Sequence, residues 1–124
     1  MITGIGIDAV YVKRMEHWVT DRKILEKFFH HDEVAYVIAR GNGAALSLAA
    51  RFAAKEAFGK ALGTGLSNIT LKDIMVINND NGRPEIKLFN TAQIALEKTG
   101  SNRAHISLTH ERDSAIAMVV LEKI

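Results

Sequence analysis

Over residues 2–10, "ITGIGIDAV", apolar side chains fall on alternate positions, the period of a strand. Ile5, Ile7 and Ala9 then share one face, and Ile2, Gly4, Gly6, Asp8 and Val10 share the other. The two glycines leave the space beside Asp8 bare. Glycine inside a strand marks a bulge or a place where a backbone or a ligand comes close. This face therefore admits either a tightly packed helix or a ligand reaching toward the carboxylate.

From Val12 the period lengthens to that of a helix. Met15, Trp18 and Val19 and then Leu25, Phe28 and Phe29 are apolar, with a break near Thr20 and Asp21. "HHDEVAYVIARGNG" predicts a short helix, with Asp32 an acid in its first turn and Gly41 and Gly43 its stop. "AALSLAARFAAKEAFGKALGTG" carries the strongest helical signal, rich in alanine and leucine and ended by Gly63 and Gly65. Two strands joined by a turn follow in "NITLKDIMVINNDNGRPEIKLF", with Pro84 opening the second. "NTAQIALEKTG" predicts a helix capped by Asn90 or Thr91 and stopped at Gly100. The segments "AHISLTH" and "SAIAMVVLE" about a short polar turn read as a hairpin. The expected fold is α+β: one domain over residues 1–124, with a largely antiparallel sheet packed against a long helix and several shorter ones.

Composition narrows the chemistry. A chain of 124 residues with 48% hydrophobic residues can bury one core and is too short for two domains. It has no cysteine, which excludes disulfides, thiolate nucleophiles and cysteine-ligated zinc. A formal net charge of +2 does not argue for nucleic acid, and no nucleic-acid module is recognisable. No uncharged run approaches membrane-spanning length, and Asp8, Lys13 and Arg14 leave no room for an apolar leader. A soluble, cytoplasmic protein without a membrane partner is expected.

On an ideal helix over residues 46–62, Ala53, Ala54, Ala57 and Ala61 gather on one side, which can pack very closely. The other half carries Arg51, Lys55, Glu56, Gly59 and Lys60, with Phe52 among them. A large aromatic among charges is not what a plain solvated face needs. Glu56 and Lys60 lie four apart, so they form either a surface pair or a carboxylate for a metal beside an ammonium for a phosphate. Magnesium takes one or two protein carboxylates and completes its octahedron with phosphates and water. Asp8 with Glu56 fits that sparse set, although spacing alone gives two distant acids no fixed geometry. The glycines of "GTG" at 63–65 offer unobstructed backbone amides, as either a phosphate-cradling turn or a helix C-cap would. Lys13, Arg14, Arg22 and Lys23 form a basic stretch, read either as a solvated face or as a dock for an acidic partner.

Taken together these segments resemble, nearly end to end, the holo-[acyl-carrier-protein] synthase family of small 4′-phosphopantetheinyl transferases. "GIGIDAVYVKRM" is similar to the family's N-terminal motif, Gly-Ile-Gly-Ile-Asp with an arginine six residues after the acid, here Asp8 and Arg14. "RFAAKEAFGKALGTG", residues 51–65, matches the family signature almost letter for letter. "NDNGRP" and "HISLTHERDSAIAMVVLE" resemble its second-hairpin and C-terminal segments.

The resemblance implies magnesium-dependent transfer of phosphopantetheine from coenzyme A to a serine of apo acyl carrier protein, releasing adenosine 3′,5′-bisphosphate in support of fatty acid biosynthesis. It implies Asp8 and Glu56 as metal ligands, and Lys60 as a contact to the coenzyme phosphates. Gly63, Thr64, Gly65, Arg83, Pro84, Ser107 and His110 become part of the coenzyme pocket or its neighbours, and Arg14 and Arg22 contacts to the carrier protein. It further implies a homotrimer with its sites between protomers. Three positions depart from the family pattern: Tyr11 stands where glutamate is common, His30 where threonine is, and Thr109 where serine is. None removes a metal ligand. The competing reading is a noncatalytic module that holds an acidic partner on the basic stretch, with Asp8 and Glu56 structural.

Overall fold

The bare face of the first strand is filled by a helix. The computed structural model describes residues 1–124, and opens with β1 (Ile2–Tyr11). α4 (Ala44–Leu62), reached through α1 (Val12–Met15), α2 (Arg22–Phe28) and α3 (His31–Ile38), lies across β1 so closely that there is no room for a side chain at its glycines. A Cβ on Gly6 would stand 2.0 Å from the Ala57 carbonyl oxygen, and one on Gly4 2.0 Å from that of Ala61. Ala53, Ala57 and Ala61 supply the matching small surface on the helix. Of the two readings of these glycines, close packing of a backbone holds; the backbone of α4 excludes a ligand from the face over Gly4 and Gly6.

β1 is an edge strand of a three-stranded antiparallel sheet of order β1-β5-β4, in which β4 (Arg103–Glu111) and β5 (Ser114–Glu122) form the C-terminal hairpin. One face packs under α4 through Ala115, Ala117, Val119 and Leu121. The opposite face carries Ile5, Ile7, Ile116, Met118 and Val120 beside His105, Ser107 and Thr109. It is largely open, with Ile5 64% and Ile7 58% exposed.

β2 (Ile74–Asn78) and β3 (Pro84–Leu88) pair only with each other, and α5 (Asn90–Lys98) follows them. The break expected near Thr20 and Asp21 is present: Asp21 caps α2, its carboxylate accepting from the Ile24 amide at 3.3 Å. The expected cap on α5 differs. Asn90 and Thr91 lie inside the helix, and the Thr91 amide donates to the Asp73 carboxylate at 3.1 Å, a cap supplied by the turn before β2. His30 caps α3, its Nδ1 accepting from the Asp32 amide at 3.1 Å, so the imidazole does the work that threonine would do there.

The basic residues Arg51 and Lys55 turn inward. Lys55 is fully buried and donates to Glu33 Oε1 at 2.7 Å, to the Leu71 carbonyl at 2.9 Å, and to the Ile74 carbonyl. Glu33, itself fully buried, also accepts from the Val76 amide at 3.1 Å and the His30 amide at 3.1 Å. Burial pushes the Lys55 ammonium below its ordinary pKa, with the Glu33 charge pulling it back. One ion pair therefore joins α3, α4 and the β2–β3 hairpin.

Candidate active site

Where β1 runs past the C-terminal half of α4, Asp8 meets Lys60. The Lys60 ammonium donates to Asp8 Oδ1 at 3.0 Å and to the Ile7 carbonyl at 3.1 Å, so it faces the strand rather than Glu56. Glu56, one turn earlier and half-buried, has its carboxyl held above the ordinary glutamate pKa by burial and by the Asp8 charge, partly offset by Lys60 and Arg14. Two carboxylates and two cations from β1, α4 and α1 thus feel one another. The Arg14 guanidinium lies over the Phe52 ring, 5.4 Å from its centroid, which accounts for an aromatic among the charges of α4.

This cluster contains only oxygen donors and cationic side chains. A hard divalent cation that keeps part of its water and adds phosphate oxygens suits such a set, and the mutual repulsion of Asp8 and Glu56 is what a bound cation relieves.

The "GTG" turn closes α4. Gly63 has φ 83° and its amide donates to the Lys60 carbonyl at 3.0 Å. The Gly65 amide folds back onto the Gly59 carbonyl at 3.0 Å, so neither glycine amide is free to cradle a phosphate. That return requires Gly59, where a Cβ would lie 2.8 Å from the Gly65 carbonyl carbon. Thr64 borders a groove of about 820 Å³ running toward α5.

The remaining candidates lie apart from Asp8. Arg83 and Pro84 edge a cavity of about 360 Å³ between β3 and β4, with Arg103 and His105. Ser107 sits opposite Met118 on the open sheet face. His110 lines a cavity of about 320 Å³ with Tyr36, Arg40, Arg51 and Asn78. Arg22 is exposed on α2 and paired with Glu26 at 3.2 Å.

Sequence reasoning missed the groups around His110. Arg51 is 3% exposed and donates to Ser47 Oγ at 2.8 Å and Asn78 Oδ1 at 2.9 Å, while its buried Nε has no partner. Arg40 and Arg51 both lie on the Tyr36 ring, at 4.4 and 4.3 Å. Burial lowers the Arg51 pKa, with Glu33 and Tyr36 opposing that. A cation this desolvated, beside a second arginine and a histidine, is a setting for an anion. The available signal was the pairing of Arg51 and Lys55 on one helical ridge.

The family model of the 4′-phosphopantetheinyl transferase superfamily matches residues 4–119. The chain is 57% identical over 122 residues to the holo-[acyl-carrier-protein] synthase of Treponema denticola, covering 98% of this chain and 99% of that one. The structure is similar to that of the holo-[acyl-carrier-protein] synthase of Neisseria meningitidis, with a TM-score of 0.86 and 32% identity over 99% of this chain and 100% of that one. It is also similar to the Bacillus anthracis synthase in complex with CoA (3′,5′-ADP), with a TM-score of 0.82 and 33% identity over 100% and 99% of the two chains.

Proposed function

The chain belongs to the 4′-phosphopantetheinyl transferase superfamily, and on that premise we propose that Asp8, Glu56 and Lys60 form its reaction centre. It transfers the 4′-phosphopantetheine arm of coenzyme A to a serine hydroxyl of apo acyl carrier protein. The observation that carries the assignment of the centre is the Lys60–Asp8 contact at 3.0 Å, beside a Glu56 whose proton affinity is raised by burial and then by the Asp8 charge.

In this reading the serine oxygen of the carrier protein bonds to the β-phosphorus of coenzyme A. The bond from that phosphorus to the bridging oxygen breaks, adenosine 3′,5′-bisphosphate leaves, and the serine proton passes to a water beside Glu56. The attacking oxygen belongs to the partner, so this chain need supply no nucleophile. Phosphoryl transfer asks a protein chiefly for positioning and fixed charge. Asp8 and Glu56 would hold magnesium, which when bound would supply Lewis-acid polarisation of the diphosphate. Asp8 orients the Lys60 ammonium toward the transferred phosphate, and Lys60 offsets negative charge on the departing bisphosphate.

The same reading gives Arg14 and Arg22 to the carrier protein, and Gly63, Thr64 and Gly65 to the coenzyme as unobstructed surface at the end of α4. Arg83, Pro84, Ser107 and His110, with Arg51, lie apart from Asp8 within one chain, which supports supply of part of the pocket by a second protomer of a homotrimer. The open apolar face around Ile5, Ile7 and Met118 supports burial between copies.

The test is the intact mass of an apo acyl carrier protein after incubation with this protein, coenzyme A and magnesium. A gain of one phosphopantetheine, abolished by EDTA and by Glu56→Gln, is expected. A gain that survives both controls would remove the metal-ligand role.

A further inference from the structure

We propose that Lys55 is a positioning residue for the metal-binding carboxylate: held by Glu33, it fixes the rotation of α4 about its axis and so aims Glu56 and Lys60 at Asp8. This rests on the reading of Asp8 and Glu56 as metal ligands.

The face of α4 on β1 is alanine over glycine. Such a surface sets how near the helix comes, but a smooth contact between small residues resists rolling weakly. Leu48 and Phe58 are fully buried and make only non-directional contacts. The ammonium of Lys55 adds directional ones, because its three acceptors converge from separate elements: Glu33 on α3, Leu71 in the turn before β2, and Ile74 on β2. Glu33 is in turn fixed by the Val76 and His30 amides.

Glu56 is the next residue after Lys55, about 100° further around the helix. A carboxylate about 5–6 Å off the axis moves roughly 2 Å for a rotation of about 20°. That is enough to separate it from a cation shared with Asp8, since metal–oxygen distances tolerate about 0.2 Å. Adjacent residues thus divide the work: Lys55 holds the helix from the hairpin side, and Glu56 presents its oxygen on the strand side. Arg51, one turn earlier, reaches the same hairpin at Asn78 with a single bond at 2.9 Å and leaves its Nε unpaired, so it constrains the helix less.

A merely structural pair predicts a different outcome from a positioning one, and the double variant Lys55→Met/Glu33→Leu separates them. Apolar side chains in place of a buried ion pair are often neutral, but here they also leave the Val76 and His30 amides without the Glu33 carboxylate, so the variant should unfold at a lower midpoint than wild type, and binding is read on protein shown to be folded. Its affinity for Mn2+, titrated against the protein alone with free Mn2+ read by electron paramagnetic resonance, should fall about tenfold, the loss typical when an outer support of a metal ligand is removed. Binding within about twofold of wild type, in a preparation where Glu56→Gln abolishes binding, would overturn the proposal while leaving the ligand assignment intact. Wild-type binding by Glu56→Gln would instead overturn the ligand assignment and this proposal with it. Should the double variant fail to fold, Glu33→Asp carries the test: it keeps both charges but shortens the arm by one methylene. Weakened Mn2+ binding then supports the proposal and unchanged binding overturns it.

Discussion

Replacing Gly6 with alanine should be among the most damaging single-methyl additions available to this protein. The added Cβ would lie 2.0 Å from the Ala57 carbonyl oxygen and 2.6 Å from the Ala61 amide nitrogen, and both are backbone atoms that no rotamer change can move. Relief requires α4 and β1 to part by about 1 Å, and a gap of that size forfeits a quarter to a half of each dispersion contact along the seam. β1 cannot bow outward cheaply, because it is laddered to β5 from Ile2 to Tyr11. Overpacking of this kind costs typically 1–3 kcal/mol, and backbone contacts place Gly6→Ala near about 3 kcal/mol, less about 0.5–1 kcal/mol recovered from the stiffer unfolded chain.

Urea unfolding measures it. With a slope of about 1–3 kcal/mol/M, a net loss of about 2 kcal/mol moves the midpoint down by roughly 1 M. Gly43→Ala is the control, since only the Arg40 Cβ at 3.7 Å lies near and φ is −88°; it should be neutral or slightly stabilising. The same parting should carry Lys60 beyond hydrogen-bond reach of Asp8, so the folded fraction of Gly6→Ala should also turn over slowly. If the two alanine variants unfold within about 0.5 kcal/mol of each other, close approach is not why Gly6 is glycine.

Glu56→Gln should stabilise the protein at neutral pH while abolishing transfer. The folded-state pKa of Glu56 lies above its unfolded value, so the contribution of this one group to stability is fully present below about pH 4.3 and is lost as pH rises through the folded pKa. The gap in thermal midpoint should therefore close on acidification, and a wider gap at pH 4 than at pH 7 contradicts the charge account. Arg14→Ala should raise KM for the carrier protein about three- to tenfold at low salt and leave KM for coenzyme A unchanged, the difference shrinking as salt rises; equal effects at both salts reject electrostatic docking. Ile7→Glu should convert an associated protein to monomers in sedimentation and lower activity without unfolding it. A monomeric, fully active wild type would reject the shared site.

Much of the fold could be read from periodicity and punctuation, because the local signals agree: alternation in β1, alanine and leucine through α4, glycine at its end, and Pro84 at the head of β3. Asp8, Glu56 and Lys60 could be picked out from residue type, but their meeting could not, since it depends on α4 crossing β1. The basic half of α4 shows the limit most clearly. Helical spacing places Arg51 and Lys55 on one ridge without saying what covers it, and a long cationic side chain serves equally in water or against a buried carboxylate. Glu33 gives no sign of being that carboxylate, because it also fits a capping box at the start of α3. The cap of α5 was misplaced for a similar reason: Asp73, its true acceptor, is remote in sequence.

The pairing of β1 with β5 sets Ile2 opposite Glu122, so the ladder that holds β1 closes across almost the whole length of the domain. The strand bearing Asp8 is made well before β5, the backbone partner that completes its ladder. Pairings this distant close slowly and leave incomplete chains open to misassociation. Until residues 114–122 arrive, the nascent chain can dock β1 only on the alanine face of α4, with every outward-facing amide and carbonyl of the strand unpaired. A shortened product lacking β5 would thus hold all three residues of the proposed reaction centre and still lack the strand that anchors Asp8.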